Sequence, residues 1–401
     1  MADRTAVDVA VAGGGPAGIL LGLLLARRGV RVVVLEKHAD FLRDFRGDTI
    51  HPSTLEVMDD LVLTDRLLQI EHHKESQLQL GFGDERVTFA DLRRLPSRHR
   101  YLALMPQWDL LEFLSTEAAR YPGFELRREA EVTGLIEEDG AVSGLRYRGT
   151  DGDREVRATL VVAADGRHSR VREAAGLVPK PSAPPMDVLW LRVSSRAPDP
   201  DESVIQIGGG ARLVLIHHTT YWQLGYVIPK GGHREVRAAG LDDLRSRVSA
   251  LAPFLAGRMD EIDSWEQVHL LTVEANRLRR WHRAGLLCIG DAAHAMSPVG
   301  GVGINLAVQD AVVAANLLAG PLRSGRLTER DLASVQRRRQ LPTALTQLVQ
   351  AQMQRRVFAP VQRRATHSVP WALRALPRVP LVRDLPGRLI GLGIGRARVA
   401  G

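Results

Sequence analysis

The feature that most constrains this chain is a glycine-rich turn between two apolar segments near its start. Residues Val7–Ala12 form a short apolar run typical of a buried parallel strand, and Val30–Leu35 form a second one. Between them lie a Gly-x-Gly-x-x-Gly turn and a helix predicted at Ala17–Ala26, and Glu36 closes the second strand. This order and spacing predict an adenine dinucleotide site, because the turn lets a pyrophosphate approach the helix N-terminus and the acid can bind a ribose.

The composition indicates a globular protein of more than one domain. A chain of 401 residues is too long for one small core, so we expect two or three domains. The single cysteine, Cys288, excludes an internal disulfide and a thiolate metal cluster, and we expect it in the core. No signal peptide is expected before the first strand, and we expect a cytoplasmic protein.

The net charge of +8 comes almost wholly from arginine, since the chain has only four lysines. The arginines are spread along the chain and accompany no nucleic-acid-binding motif, so no nucleic acid partner is expected. No uncharged apolar run of about 18 residues predicts a transmembrane helix.

Two further apolar strands end in a glycine and an acid. Thr159–Ala164 runs into Asp165-Gly166, and Gly285–Ile289 runs into Gly290-Asp291. In open α/β sheets ligands bind at the carboxyl ends of the strands, so both acids are expected near the glycine turn. Either aspartate can instead be a simple helix cap, and His294 is expected to pack or cap.

The remaining elements follow from periodicity and turn residues. Residues 75–98 predict an antiparallel hairpin, and Asp187–Lys230 predicts an antiparallel sheet. The predicted strands and helices are Phe124–Arg128, Glu131–Glu137, Ala141–Tyr147, Glu155–Ala158, a strand near Gln267–Thr272, a helix opened by Pro52, and helices at Trp108–Arg120, Arg170–Ala175, Leu241–Ala252, Gly303–Leu318 and Thr328–Phe358, the last broken or kinked at Pro342. The tail Pro360–Gly401 predicts short helices packed on the body and covering the active site.

Three stretches, VAGGGPAG, ADGRHSRVR and IGDAAHAMSPVGGVGINLAVQDA, carry a resemblance over about residues 5–355. The chain resembles the FAD-dependent aromatic hydroxylases, the para-hydroxybenzoate hydroxylase-like, single-component flavoprotein monooxygenases. The resemblance implies an α/β fold with a Rossmann-type FAD-binding domain interleaved with an antiparallel-sheet substrate domain. Its expected boundaries are 1–74, 99–178 and 275–340 for the FAD-binding domain, 75–98 and 179–274 for the substrate domain, and 341–401 for a helical C-terminal region.

The resemblance also implies which residues contact FAD. At the adenine end these are Gly13, Gly15, Pro16, Ala17 and Gly18 at the pyrophosphate, Glu36 and Lys37 at the ribose, Val132 at the adenine, and Arg46 and Gln107 along the cofactor. Toward the flavin these are Asp165, where FAD and a visiting nicotinamide cofactor are both served, Gly290 and Asp291 at the ribityl chain, and Pro298, Gly301, Gly303, Ile304 and Asn305 around the isoalloxazine ring. No metal site is expected.

The chemistry implied is that NADPH or NADH reduces FAD, O2 adds at flavin C4a, and the hydroperoxide hydroxylates or epoxidises an aromatic or polyketide-like molecule. The substrate is expected between the flavin and the 187–230 sheet, where Trp190, Trp222 and Tyr226 suit an aromatic ligand, although core packing also explains them. No catalytic residue is assigned. His217, Tyr226 and Arg212 are candidates for deprotonating a phenol, and only one of His217 and its neighbour His218 can face the cavity.

Alternatives stay open at this point. A flavin-dependent halogenase would carry W-x-W-x-I-P, whereas this chain has WQLGYVIP. An FAD-dependent reductase or desaturase of an isoprenoid lipid and a non-catalytic flavin-binding protein are the others, and the basic tail would allow contact with an anionic membrane. The motif GLGIG at 391–395 mimics a second glycine turn, but too few residues follow it to build a βαβ unit. The protein is expected to be a monomer or a homodimer.

Overall fold

The computed structural model describes residues 5–42, 48–182, 184–197, 199–355 and 383–400. The strands are, in chain order, β1 (Thr5–Ala12), β2 (Val32–Leu35), β3 (Thr49–Ile50), β4 (His73–Glu75), β5 (Gln77–Phe82), β6 (Glu85–Asp91), β7 (Leu102–Leu104), β8 (Phe124–Arg127), β9 (Glu131–Glu138), β10 (Ala141–Gly149), β11 (Gly152–Ala163), β12 (Pro179–Ser182), β13 (Met186–Ser194), β14 (Val204–Gly208), β15 (Ala211–His217), β16 (Tyr221–Pro229), β17 (His269–Leu271), β18 (Ala275–Leu278), β19 (His282–Arg283) and β20 (Leu286–Cys288).

The α-helices are α1 (Pro16–Ala26), α2 (Pro52–Asp60), α3 (Thr64–Leu67), α4 (Gln107–Ala118), α5 (Arg170–Ala174), α6 (His233–Ala239), α7 (Leu241–Leu251), α8 (Gly303–Arg323), α9 (Glu329–Met353) and α10 (Leu385–Gly391). Short 3-10 helices lie at Leu92–Arg94, Pro253–Glu261, Trp265–Gln267, Gly290–Ala292 and Val299–Gly301.

A Rossmann-type sheet carries the glycine turn. Its order is β19-β20-β11-β1-β2-β8, and the strands from β20 to β8 are parallel. Helix α1 is apolar all round and almost entirely buried, because it packs between this sheet and helices α4 and α8. The predicted α/β fold with a Rossmann-type domain is confirmed.

The prediction of separate strands at Glu155–Ala158 and Thr159–Ala164 is wrong, since both belong to β11. Strand β1 pairs along one edge of β11, while β10 and β20 share the other edge in turn. The turn from an antiparallel to a parallel neighbour on that edge explains the change of sequence pattern within a single strand.

The second large sheet has the order β17-β13-β16-β15-β14-β5-β6. The predicted hairpin at 75–98 supplies β5 and β6, and β5 joins the sheet by parallel pairing with β14. Helix α7 and the 253–261 helix cover one face of this sheet with a common apolar core. A small sheet, β3-β7-β4, lies where the chain passes between the two domains.

Helices α8 and α9 differ from their predicted extents. Helix α8 continues to Arg323 rather than ending at Leu318, and α9 runs through Pro342 without a break. The segment Val299–Arg323 is apolar and long enough to span a membrane, but 83% of its apolar window is buried inside the fold, so it is a core helix. Cys288 is buried in β20, as expected.

The C-terminal residues return to the body of the protein. Helix α10 packs on β6, which confirms a helical, packed C-terminal region. Residues 360–382 of the tail, and with them the predicted active-site cover, lie outside the described residues.

Candidate active site

The glycine turn is built so that only glycine fits at two of its positions. Gly13 has φ +100°, and a Cβ there would lie 2.5 Å from the carbonyl oxygen of Ala164. A Cβ on Gly18 would lie 2.0 Å from the carbonyl oxygen of Gly13. Gly15 differs, because its Cβ would point into open space. The turn is therefore closed on the protein side and open on the side where a pyrophosphate would lie.

The helix that follows this turn has the features of an anion-binding terminus. Gly15 caps α1 without a side-chain hydrogen bond, and the first turn carries no acidic residue. Its N–H groups are thus left for a ligand. Helix α8 has the same features at Gly303, where a Cβ would also meet open space. Both termini fit FAD, the first at the pyrophosphate and the second at the flavin ring.

Glu36 is tied to the turn that precedes it by a whole helix and strand. Its carboxylate accepts hydrogen bonds from the N–H groups of Gly14 at 2.8 Å and His38 at 3.0 Å, and the residue is 3% exposed. Ala130 donates its N–H to the Glu36 carbonyl at 2.9 Å, which brings buried Val132 in β9 to the same end of the sheet. Lys37 is exposed beside them. These residues meet where the adenosine half of FAD is expected.

Asp165 lies against the glycine turn but uses its carboxylate locally. The Cα of Asp165 would lie 2.8 Å from a Cβ on Gly13. Its carboxylate accepts hydrogen bonds from the Ser169 hydroxyl and from the Val171 N–H at 3.2 Å. Burial raises the pKa of Asp165 despite these donors. The structure therefore shows the helix-capping role that the sequence left open, at a position that adjoins the predicted cofactor site.

The Gly290-Asp291 loop is positioned by a buried ion cluster. Gly290 has φ +57° and a Cβ there would lie 3.2 Å from the Cβ of Ala17 in α1. Its N–H donates to the carboxylate of Asp310 at 3.0 Å. The same carboxylate is 2.6 Å from His294 Nε2 and 2.8 Å from Arg339 Nε, with none of the three side chains more than 1% exposed. Helices α8 and α9 thus hold the loop in place.

The flavin loop, residues 298–305, is held by the segment that begins at Asp48. A Cβ on Gly301, whose φ is +63°, would lie 3.0 Å from the side chain of Thr49. His51 lies between two carbonyls, with Nε2 3.0 Å from the Gly301 oxygen and Nδ1 2.7 Å from the Ile390 oxygen. Burial lowers the pKa of His51, so the neutral ring donates to only one of them.

Asn305 of the flavin loop is also fixed. Its side-chain oxygen accepts hydrogen bonds from the hydroxyls of Ser53 at 2.7 Å and Thr54 at 3.1 Å. A Cβ on Gly393 would lie 3.2 Å from the Asn305 amide nitrogen, so the C-terminal segment packs closely here. The loop predicted to border the flavin is therefore rigidly positioned from two sides.

Gln107 is the first residue of α4 rather than the residue before it, because Pro106 takes the N-cap position. Its backbone N–H donates to the Asp48 carboxylate. Arg46 lies outside the described residues.

The central sheet has a packed face and an open face, and pairing fixes which residue lies on each. The packed face, under α7, contains Leu189, Leu191, Leu213, Leu215, His217, Trp222, Leu224 and Tyr226. The open face contains Trp190, Ile205, Ile207, Val214, Ile216 and Val227, which are apolar yet only partly buried. Ile205 and Val227 pack with Val299 of the flavin loop, so the open face is the one that looks toward the cofactor site.

This assignment corrects three expectations about the substrate cavity. Tyr226 is 4% exposed in the α7 core, and His217 lies against Trp222 with ring centroids 4.6 Å apart. All three side chains share the packed face and point away from the flavin loop. Arg212, opposite Val227, lies on the open face and remains a candidate. Alternation alone could not choose between two faces that are both apolar.

A polar cluster that the sequence did not reveal borders the open face. It consists of Asp48 beside β3, His218 and Tyr221 in the turn between β15 and β16, and Gln223 in β16. His218 Nε2 donates to Gln223 Oε1 at 3.1 Å, and the Gln223 amide donates to Asp48. Asp48 carries no motif, and its contact with a turn some 170 residues later follows only from the three-dimensional fold. The period-two pattern in β16 does place Gln223 opposite Trp222, which was a usable signal.

The comparisons with known proteins agree with this site. Residues 6–349 match the family described as FAD binding domain. The chain belongs to the FAD-dependent aromatic hydroxylase family. This aromatic hydroxylase is 35% identical over 390 residues to 6-methylpretetramide 4-monooxygenase of Streptomyces rimosus, over 97% of this chain and 93% of that one.

Solved structures show the same fold at lower identity. PqsL of Pseudomonas aeruginosa, in complex with 2-aminobenzoylacetate, has a TM-score of 0.76 at 22% identity and covers 88% of the hydroxylase and 97% of its own chain. The myxobacterial chondrochloren halogenase CndH has a TM-score of 0.75 at 20% identity, over 96% and 92% of the two chains. At these identities the likeness shows the fold alone.

Proposed function

We propose that this hydroxylase inserts one oxygen atom from O2 into a phenol-bearing polycyclic or polyketide-like molecule, with NADPH or NADH as electron donor. The open face of the central sheet supports this substrate class most directly. Its side chains are apolar and include Trp190, yet they are only partly buried although they look toward the flavin loop. Such a surface suits a flat, largely apolar ligand. The relative named for 6-methylpretetramide supports the same class.

The residues of the chain fit FAD, as the two open helix termini show. FAD, when bound, supplies the redox chemistry by accepting a hydride from NAD(P)H and activating O2. The glycine turn and Glu36 would hold its adenosine half, and the flavin loop would border the ring. The protein's own work is to orient the substrate on the open face, to exclude water, and to set the protonation state of the reacting ring.

We propose that NAD(P)H binds only transiently. The second glycine-rich motif, GLGIG, serves close packing instead of cofactor binding. A Cβ on Gly391 would lie 2.5 Å from Leu95, and one on Gly395 would lie 2.7 Å from the ring of Pro342. Within the described residues, the dinucleotide-binding βαβ unit at the glycine turn has no second copy. A cytoplasmic protein, monomeric or dimeric, fits the single buried cysteine.

The test is to purify the protein, measure its flavin content, and follow oxidation of NADPH and NADH with and without 6-methylpretetramide. Substrate-dependent NAD(P)H oxidation with a product heavier by one oxygen is expected. A chlorinated product formed in the presence of chloride would identify a halogenase, and loss of hydrogen would identify a desaturase. A protein that neither retains nor rebinds FAD would refute the proposal.

A further inference from the structure

We propose that Asp48 accepts the proton of a phenolic hydroxyl group on the substrate, and that Gln223 and His218 are positioning residues that hold Asp48 for this step. This inference rests on the proposed function and names a catalytic residue for it.

Asp48 lies where the two domains meet. It directly precedes Thr49, whose side chain fits against Gly301 of the flavin loop. Its backbone carbonyl accepts the N–H of Met105 at 3.0 Å, which fixes the main chain beside β7. From the other side come Gln223, on the open face of the sheet, and His218, in the adjoining turn. A substrate lying between the flavin loop and the open face would therefore reach this carboxylate.

The hydrogen bonds around Asp48 orient its carboxylate and leave it room to accept another. The Gln107 N–H and the Gln223 amide donate to the carboxylate. His218 Nε2 lies 3.7 Å from Asp48 Oδ2 while it donates to Gln223 Oε1, so the three side chains form one continuous row. A carboxylate has about four lone-pair positions, and two donors leave capacity for a substrate hydroxyl.

The charges around the cluster make Asp48 the group suited to take a proton. Burial raises the pKa of Asp48 to about 6, so it is mostly ionised at neutral pH yet is a stronger base than an exposed aspartate. Burial lowers the pKa of His218 to about 4, so its ring is neutral. Burial and the nearby carboxylates Asp48 and Asp109 raise the pKa of Tyr221 to about 12, so it stays protonated.

The titratable groups that surround the cluster come from several elements. They are Asp109 in α4, Arg192 in β13, whose guanidinium lies 3.7 Å from the Tyr221 ring centroid, His73 in β4, and His217 in β15. Tyr221 stacks on His218 with ring centroids 4.4 Å apart. Tyr221 and Arg192 also line an open cavity of about 750 Å³, which gives the cluster a route to solvent.

The step is a proton transfer with no change of oxidation state. The O–H bond of the substrate breaks, its electron pair stays on the phenolic oxygen, and the proton forms an O–H bond on Asp48. The phenolate oxygen raises electron density at the ring carbons ortho and para to it, which makes them better nucleophiles toward an electrophilic oxygen. The proton passes to water through the open cavity before the next turnover.

Asp48→Asn is the test variant, because it keeps the shape and removes the base. Its control is Asp109→Asn, a nearby carboxylate that bonds to neither Gln223 nor His218 within the described hydrogen bonds. The first readout is the absorption spectrum of 6-methylpretetramide bound to the FAD-loaded enzyme without NAD(P)H. We expect the red-shifted phenolate spectrum with wild type and Asp109→Asn, and the neutral phenol spectrum with Asp48→Asn.

The second readout is the pH profile of kcat/KM. We expect Asp48→Asn to lose roughly 100-fold or more in kcat and to lose the acidic limb of the profile, with FAD content unchanged. Asp48→Glu should restore part of kcat with a shifted limb, which keeps the test open if Asp48→Asn folds poorly. Phenolate spectra and pH profiles that are the same in Asp48→Asn and wild type would overturn the role of Asp48. No oxygenated product from wild type would instead overturn the proposed function.

Discussion

Val227 of β16 packs with Val299 of the flavin loop, and this contact decides which face of the central sheet meets the substrate. Val227 shares its face with Arg212, its cross-strand partner, and with Val214 two strand positions along from Arg212. Their neighbours Leu213 and Leu215 point the other way, into the α7 core. The two faces should therefore respond differently to the same substitution.

Val214→Phe should weaken substrate binding without unfolding the protein. The new ring would project from the half-buried open face into the space proposed for the substrate, and KM should rise by roughly tenfold or more. Leu215→Phe is the matched control, because Leu215 is 2% exposed in the packed core. That variant should lose about 1–3 kcal/mol of unfolding free energy by overpacking, with an unchanged KM in the folded fraction. Substrate kinetics and urea titrations measure both effects, and the reverse pattern would refute the assignment of the faces.

Gly15→Val should fold but fail to retain FAD. A Cβ at Gly15 meets nothing within 4 Å in the protein, so the branched side chain would occupy only the space of the pyrophosphate. Gly18→Val should instead destabilise the fold itself, because a Cβ there lies 2.0 Å from the Gly13 carbonyl oxygen. Flavin absorbance after gel filtration and a thermal melt of the apoprotein separate the two variants. Full FAD retention by a folded Gly15→Val protein would contradict the turn's role.

Arg339→Met should be strongly destabilising. Arg339 pairs with Asp310 at 2.8 Å, neither side chain is exposed, and its removal leaves a buried carboxylate with less compensation. The expected loss is about 3–5 kcal/mol of unfolding free energy. Arg31→Gln breaks an ion pair with Asp8 in which Arg31 is 62% exposed, and should cost less than about 1 kcal/mol. Equal losses in guanidinium titrations would show that the buried cluster has no special structural role.

The same cluster predicts how stability falls in acid. The charges of His294 and Arg339 hold the pKa of Asp310 at about 2, below its ordinary 3.8, although burial opposes them. A folded pKa below the unfolded one stabilises the protein above about pH 4, and that contribution is lost as the pH falls toward 2. The lost contribution is roughly 2–3 kcal/mol. Urea midpoints measured from pH 6 to pH 2 should fall less steeply for Asp310→Asn than for wild type, and identical slopes would count against this cause.

Local patterns predicted much of the nucleotide half of this protein. The glycine turn, Glu36 and α1 are close in sequence, and each is constrained by sterics that leave a clear mark on the residues. Patterns also placed most strands of the central sheet, since alternation and turn residues are local. The continuation of α9 through Pro342 was missed, because the loss of one backbone hydrogen bond was offset by packing along a long helix whose Pro342 ring meets the C-terminal segment.

The substrate side was harder to predict, for a physical reason. Both faces of the central sheet are apolar, so only the contact of Val227 with a distant loop shows which one is open. The Asp48–Gln223 hydrogen bond likewise joins residues far apart in sequence, and neither residue belongs to a motif. Sequence patterns therefore predicted His217 and Tyr226 where the fold favours Asp48 and Gln223.

The central claim, that this chain is a monooxygenase of aromatic molecules, is tested most directly by isotope transfer. Purified FAD-loaded enzyme, NADPH and 6-methylpretetramide are incubated under ¹⁸O2, and the product is weighed by mass spectrometry. We expect a product that contains one ¹⁸O atom and forms only when NADPH, O2 and enzyme are all present. A product that gains no labelled oxygen, while NADPH is consumed and the substrate is altered, would contradict the claim.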